Sequence, residues 1–367
     1  MGIFLTALNI ENVHLTKETG LIAWGMGRYC KMKSCIVTYD NDNYENMNYV
    51  PGLKLVKMRK LTGIYDADIL LFLMKYSKKI DVLNCYHMRS ATFLKILVYR
   101  MMNRKGKIYL KLDGGYAKET MHGWKRKIFK KMFRMCDLVS TEIDSHAKML
   151  TEDWNAEIQS VPSPFHPKSR GNFRKYDQRE NMILTVGRLG TEQKATEILL
   201  EAWGKIFENM DGWKLVLTGP VEKEETDFQQ YIDEWYQRYP KAKEVTEFSG
   251  NISDREQLKE LYQNAKIFVF PSRHESFGMA VLEAIVNGVF IVGSDIYTNR
   301  ALTEDFTLGY SFKTDDIEEL SEKLLMCQED MEKIEAMAYK LYKIAADKYS
   351  LKNICKKAAF DLGLDVG

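Results

Sequence analysis

No apolar run in this 367-residue sequence approaches the roughly 18 residues that a helix needs to cross a bilayer. The opening GIFLTAL is too short, and lacks the basic leader, for a secretory signal. Cysteine is sparse. The six residues at 30, 35, 85, 136, 327 and 355 form no CxxC pair, which argues against a disulfide framework or a cysteine-held zinc ion. Reduced thiols in a cytoplasmic protein are the expectation. No short-period repeat or low-complexity tract occurs, so solenoid and disordered classes are set aside. Proline is scarce as well. Three of its seven copies, Pro162, Pro164 and Pro167, fall within SVPSPFHPKSRGN, where proline followed by polar residues reads as an interdomain linker.

What is present is ordinary for a globular chain: 45% hydrophobic and 28% charged residues. The length exceeds what one core comfortably holds, so two domains are expected. Short β-rich runs alternate with helical stretches. Strands are predicted at 2–8, 33–39, 53–58, 81–86, 107–112 and 137–142, and again at 181–187, 213–219, 244–250, 266–271, 289–294 and 308–312. After about residue 335 the chain reads as helical. The alternation predicts an α/β protein of two doubly wound parallel sheets, with the boundary near 163–178.

The net charge of +2 conceals an asymmetry. Residues 89–135 hold fourteen Lys or Arg against two acids, Asp113 and Glu119. Within them GWKRKIFKKMFRM (123–135) sets Trp124, Ile128, Phe129, Met132 and Phe133 at helical spacing among basic residues. Such a helix reads either as an anionic membrane-surface element or as a solvated face over a buried stripe. No nucleic-acid reader motif accompanies the charge, so nucleic acid is not expected as a partner.

Ligands of open parallel sheets bind beyond the carboxyl ends of the strands. In the second half Arg188 and Lys194 follow one predicted strand, Gly219 closes the next, Asn251 and Ile252 follow the third, and PSRHESFGMAVLEA (271–284) follows the fourth. A guanidinium forks onto phosphate oxygens and an ammonium adds a point charge. Ser276-Phe277-Gly278-Met279 reads as a helix start, whose N–H groups and dipole favour an anion, with Gly278 allowing close approach. Glu283 would lie about 7–8 Å further along, where a carboxylate can accept from two vicinal ribose hydroxyls. Glu275 precedes the phosphate position, where an attached sugar would lie. Taken singly, each cation reads as a surface salt bridge, Glu275 as an acid at a helix start and Glu283 as a solvated helix residue. Their shared edge and spacing match a nucleoside diphosphate sugar.

On these residues the chain resembles the retaining GT-B glycosyltransferases of family 4. ESFGMAVLE (275–283) is similar to their E-x7-E signature. VGRLGTEQKATEILLEAW (186–203), LVLTGP (215–220), FSGNISDREQLKELYQNAKIFVFPS (248–272) and VFIVGSDI (289–296) continue the likeness in order. It is specific over about 180–300 and loose over 1–165. The resemblance implies two Rossmann-like domains facing a cleft: 1–165 for the acceptor and 175–344 for the donor, with a C-terminal helix at about 345–367 crossing back. It implies that Arg188 and Lys194 hold the donor diphosphate, with Gly219 on the donor side. Glu283 would hold the ribose, Glu275 with the backbone of Phe277, Gly278 and Met279 the sugar, and Asn251 and Ile252 would lie near the base. Arg188, Lys194 and Glu275, with His87 and Asp113, make up the expected catalytic set. On the acceptor side stand Gly20, His87, Asp113 and Gly114. Asp113 occupies a place where the family often has His. It could orient an acceptor hydroxyl or pair with Lys111.

The expected activity is retaining transfer of a sugar from a nucleoside diphosphate donor, a UDP-sugar favoured, to a hydroxyl acceptor. Bacterial surface polysaccharide or glycolipid synthesis would supply a glycan or lipid-linked glycan acceptor, at the inner face of the membrane if the basic segment docks there. A nucleotide-sugar epimerase of the same fold and a non-catalytic nucleotide-sugar binder are the alternatives. No metal is expected, because fixed cations can stabilise a leaving diphosphate. Asp40-Asn41-Asp42 and Asp66-Ala67-Asp68 both read D-x-D, but the first opens a polar loop and the second is expected to cap a helix. GMGRYC (25–30) is an incomplete GxGxxG that follows a helical segment, which argues against a nicotinamide site. His274 is a further site candidate, whereas His14, His122, His146 and His166 are expected at the surface or in loops.

Overall fold

A computed structural model of the chain describes residues 2–112, 123–221 and 227–365. The chain divides into two units, one formed by residues 1–166 with 348–367 and the other by residues 167–347. No helix among the described residues is long and apolar enough to cross a membrane.

The first unit alternates strand and helix: β1 (Ile3–Ala7), α1 (Glu18–Tyr29), β2 (Lys33–Thr38), β3 (Lys54–Lys57), α2 (Tyr65–Tyr76), β4 (Val82–Tyr86), α3 (Ser90–Met102), β5 (Lys107–Lys111), α4 (Gly123–Met135), β6 (Leu138–Thr141), α5 (Asp144–Trp154) and β7 (Gln159–Ser160). The seven strands are parallel in the order β3-β2-β1-β4-β5-β6-β7. β4 is buried along its whole length, as a strand covered on both faces must be.

The second unit repeats the plan with β8 (Met182–Val186), α6 (Thr196–Ile206), β9 (Lys214–Thr218), α7 (Phe228–Arg238), β10 (Thr246–Gly250), α8 (Arg255–Asn264), β11 (Ile267–Phe270), α9 (Met279–Ile285), β12 (Phe290–Ser294), α10 (Tyr297–Leu302), β13 (Tyr310–Phe312), α11 (Ile317–Glu329) and α12 (Met331–Lys348). Its parallel order is β10-β9-β8-β11-β12-β13. Residues 244 and 245, read as strand from their sequence, lie before β10, where a 3-10 turn opened by Pro240 ends at Glu244. β7 escaped the sequence reading because two residues carry no alternation.

The last helix, α13 (Leu351–Asp361), returns to the first unit. Leu351, Ile354, Cys355, Ala358 and Ala359 recur at helical spacing and are buried against Leu21, Ile22 and Met26 of α1. The Ser350 hydroxyl caps it by accepting from the Asn353 N–H at 3.2 Å. The glycines of GMGRYC lie inside α1, and Gly25 faces α13: a Cβ there would stand 2.3 Å from the Cys355 sulfur.

Two expectations are corrected. The residue before α2 is Ile64, so neither Asp66 nor Asp68 is its N-cap. Asp66 pairs with Lys95 at 2.7 Å, and buried Asp68 accepts from the Tyr39 hydroxyl and the backbone of Leu61 and Thr62 at 2.7–2.9 Å. His146 is buried beside the Thr141 hydroxyl, and burial lowers its pKa. His166 lies in a loop, as expected, and is buried there, stacked on Trp24 with its Nε2 2.9 Å from the Tyr49 carbonyl. His122 lies outside the described residues. In α4 the stripe divides. Phe129, Met132 and Phe133 enter the core, whereas Trp124 is 67% exposed.

Candidate functional site

Where strand order reverses, the flanking loops part and leave a crevice at the carboxyl ends. In the second unit this point lies between β8 and β11, which pair through Ile183 with Ile267 and Leu184 with Phe268. The segments after these two strands carry Arg188 and Lys194 on one side and Glu275 to Gly278 on the other. Residues more than 80 positions apart in sequence meet here because their strands are neighbours.

Lys194 forms an ion pair with Glu275 across this point. The Glu275 side chain is 10% exposed and that of Lys194 is 18% exposed. The ammonium also sits 4.8 Å from the centre of the Phe270 ring, a placement that partly desolvates it. Arg188 is exposed, and its Nη2 donates to the Gln193 side-chain oxygen at 3.2 Å. Gly278 adopts φ +81° as the N-cap of α9, a conformation costly for other residues. With seven residues α9 is short, so the fixed positive charge comes mainly from the two side chains and less from a helix dipole. Phe277 is buried, and Met279 begins the helix.

Two contacts in this turn had no signal in the local sequence. The Tyr297 and Thr298 hydroxyls both donate to the Glu275 carbonyl, the latter at 2.9 Å. They belong to α10, and only the fold brings them there. Glu283 lies in the last turn of α9, half-buried, with the Tyr262 hydroxyl 3.5 Å from its carboxylate. Burial, and then the Glu283 charge, push the Tyr262 pKa well up, so it stays a neutral donor. Arg255 and Lys259 line a small pocket with this pair.

Gly219 takes φ +138°, and a Cβ there would lie 1.7 Å from the Gly187 carbonyl oxygen, so only glycine lets the ends of β8 and β9 converge. Asn251 and Ile252 follow β10 on the same edge, two strands over from β8. His274 is exposed, and its carbonyl accepts from Gln193 at 3.1 Å.

In the first unit the strand order reverses between β1 and β4. Gly20 lies in the first turn of α1, pressed so close that a Cβ would stand 2.1 Å from the Leu15 carbonyl oxygen. His87 follows β4 with φ +66°, a strained value for a residue bearing a Cβ. Its N–H donates to the Lys111 carbonyl at 3.0 Å. Asp113 and Gly114 lie outside the described residues. The fully buried Lys111 ammonium pairs with Glu18 at 2.7 Å and donates to the Val161 carbonyl. Burial opposes its charge, but Glu18, Tyr109 and Glu142 outweigh burial and raise its pKa. Asp42 of the first D-x-D accepts from the backbone N–H groups of Asn12 and Asn43, and Asp40 pairs with Lys57 at 2.8 Å. No group of three or more His, Cys, Asp or Glu among the described residues could hold a metal ion.

Comparison with known proteins gives these positions a context. Residues 170–344 match the family model described as glycosyl transferases group 1. An uncharacterized glycosyltransferase of Methanocaldococcus jannaschii is 25% identical over 288 residues, covering 71% of this chain and 70% of its own. Mannosylfructose-phosphate synthase of Agrobacterium fabrum is 27% identical over 172 residues, 43% of this chain and 37% of its own. The fold is similar to that of Anabaena HepE solved in complex with UDP, with a TM-score of 0.75 and 13% identity over 99% of this chain and 100% of that one.

Proposed function

We propose that this chain, a glycosyltransferase of GT-B fold whose residues 170–344 match glycosyl transferases group 1, moves a sugar from a nucleoside diphosphate donor, a UDP-sugar favoured, to a hydroxyl acceptor with retention of configuration. The observation that carries the reading is the meeting of Lys194 and Glu275 at the switch point, with Arg188 on the same loop as Lys194, bonded to Gln193. Arg188 and Lys194 hold the diphosphate and stabilise it as it leaves, without a metal. Glu283 accepts from the ribose hydroxyls, and the base lies toward Asn251 and Ile252. Glu275, with the backbone of Phe277 to Met279, holds the sugar. The bond from the sugar anomeric carbon to the phosphate oxygen breaks. The acceptor oxygen attacks from the same face, and its proton passes to the leaving phosphate oxygen. Gly20, His87, Asp113 and Gly114 stand on the acceptor side. The UDP in the HepE structure supports the choice of base.

A thermal-shift panel of nucleotides and sugar nucleotides tests the donor, since a ligand at 100 times its Kd adds about 2.7 kcal/mol of stability. A UDP-sugar is expected to raise Tm, and a flat panel rejects the donor site. NMR of the product decides the stereochemistry, because an inverted anomeric centre contradicts retention. Glu275→Ala is expected to lower kcat by roughly 10²–10³-fold. Unchanged turnover would remove Glu275 from the chemistry, and absent turnover in the native protein would favour a non-catalytic binder.

We also propose a lipid-linked glycan as the acceptor, met at an anionic membrane face. Support comes from the first unit. Lys125, Lys127, Lys131 and Arg134 of α4 are exposed beside Trp124, and α3 exposes Leu94, Met101 and Met102. Neither helix carries an acid. Sedimentation with anionic vesicles at low salt is the check. Protein that stays in the supernatant defeats the proposal.

A further inference from the structure

Arg273, two residues before Glu275, reaches three separate segments of the second unit. Its Nη1 donates to the Glu192 carbonyl at 2.6 Å, its Nη2 to the Glu197 carboxylate at 2.7 Å and its Nε to the Asp315 carboxylate at 2.8 Å. Its backbone N–H donates to the Gln193 carbonyl at 2.9 Å. Gln193 returns the contact. Its side-chain nitrogen donates to the His274 carbonyl at 3.1 Å, and its side-chain oxygen accepts from Arg188 Nη2 at 3.2 Å.

We propose that Arg273 and Gln193 are positioning residues that strap the loop bearing Arg188 and Lys194 to the turn bearing Glu275, so that both cations are aimed before the donor arrives. The inference rests on the nucleoside diphosphate reading of this site. The loop turns through Gly190 at φ +84° and Ala195 at φ +48°, and it carries the exposed Arg188. Long basic side chains lose much rotamer freedom when they bind, and fixing them beforehand removes that cost from the binding step. Electrostatic stabilisation of a leaving diphosphate also depends on donors that need not reorganise.

The chemistry of each strap residue suits its place. One planar guanidinium satisfies two carboxylates and a carbonyl at fixed angles, which an ammonium on a flexible stem cannot reproduce. Gln193 offers a donor to one side and an acceptor to the other, so it joins the His274 carbonyl to the Arg188 guanidinium. Neither residue occupies the switch point itself. Lys194 and Glu275 meet there.

The experiment compares the full chain with Arg273→Ala, Arg273→Lys and Gln193→Ala. Its probes are whichever of UDP, GDP and ADP the native protein binds best, and the matching nucleoside. Calorimetry gives both affinity and the number of competent sites. Misplaced cations should weaken the diphosphate by roughly 10- to 100-fold and leave nucleoside affinity unchanged. Arg273→Lys should resemble Arg273→Ala, because the fork and not the charge is needed. A residue that only supports folding would lower Tm and the fraction of competent sites, with diphosphate affinity per site unchanged, and that result overturns the strap. Equal loss of diphosphate and nucleoside overturns it as well. If Arg273→Ala does not fold, Gln193→Ala decides alone, since diphosphate binding as in the native protein refutes the proposal. A native protein that binds none of the three diphosphates defeats the donor reading itself, and the strap with it. Loss confined to the variants keeps the two failures apart.

Discussion

Burial alone would raise the Asp68 pKa, yet hydrogen bonds from the Tyr39 hydroxyl and from Thr62 and Leu61 hold it at about 2. A carboxyl depressed in the folded state adds stability that is complete above its unfolded pKa, near 4. That stability drains as the pH falls through about 2. Urea midpoints between pH 6 and pH 2 are expected to fall along this limb. Asp68→Asn should lower the midpoint at neutral pH and flatten the limb, and an unchanged acid limb would assign it to other carboxyls. At this same scale the sequence misled. An aspartate before an apolar run resembles a helix cap, but whether it caps or anchors a preceding loop depends on Tyr39, 29 residues away. His146 misled in the same way, since it is buried within α5 beside the Thr141 hydroxyl.

Among elements, α1 and α13 show a contact that local pattern cannot reveal. In the sequence Gly25 is only the first glycine of an incomplete GxGxxG. Against α13 it is the clearance for Cys355 and Leu351. Gly25→Ala improves helix propensity by about 1 kcal/mol. The added methyl should nonetheless destabilise the protein by about 1–3 kcal/mol, read as a lower urea midpoint. A more stable variant would mean that α13 yields. The helix α13 was legible by its own spacing, because one face of a surface helix repeats at 3.6 residues. The turn that opens α9 was legible as well, because its residues are contiguous in PSRHESFGMAVLEA. The bonds that hold it were not. Thr298 and Tyr297 grip the Glu275 carbonyl from α10, and Arg273 and Gln193 tie two loops separated by 80 residues.

For the whole molecule, charge asymmetry is a property of sequence that gains meaning only from exposure. The fourteen basic residues of 89–135 are not equivalent. Lys111 is buried against Glu18, and Arg126 pairs with Asp153 at 3.0 Å, whereas Lys127 and Lys131 face solvent. Each exposed basic residue near an anionic surface is worth about 1 kcal/mol. Lys127→Gln with Lys131→Gln should therefore weaken vesicle binding by about 2 kcal/mol, and the loss should shrink as salt screens the rest. Sedimentation that ignores both changes would assign any binding to Trp124 and the apolar side chains.

The sequence by itself determined two parallel sheets, because alternation of apolar runs and helical stretches is a local property that burial enforces wherever the strands lie. It determined which types of residue close each strand, and so the chemistry a ligand would meet. The tertiary structure alone decided which of those strand ends are neighbours. Strand order places β8 beside β11, and so Lys194 beside Glu275, because pairing in a parallel sheet is set by the packing of whole crossovers and not by the residues of either strand.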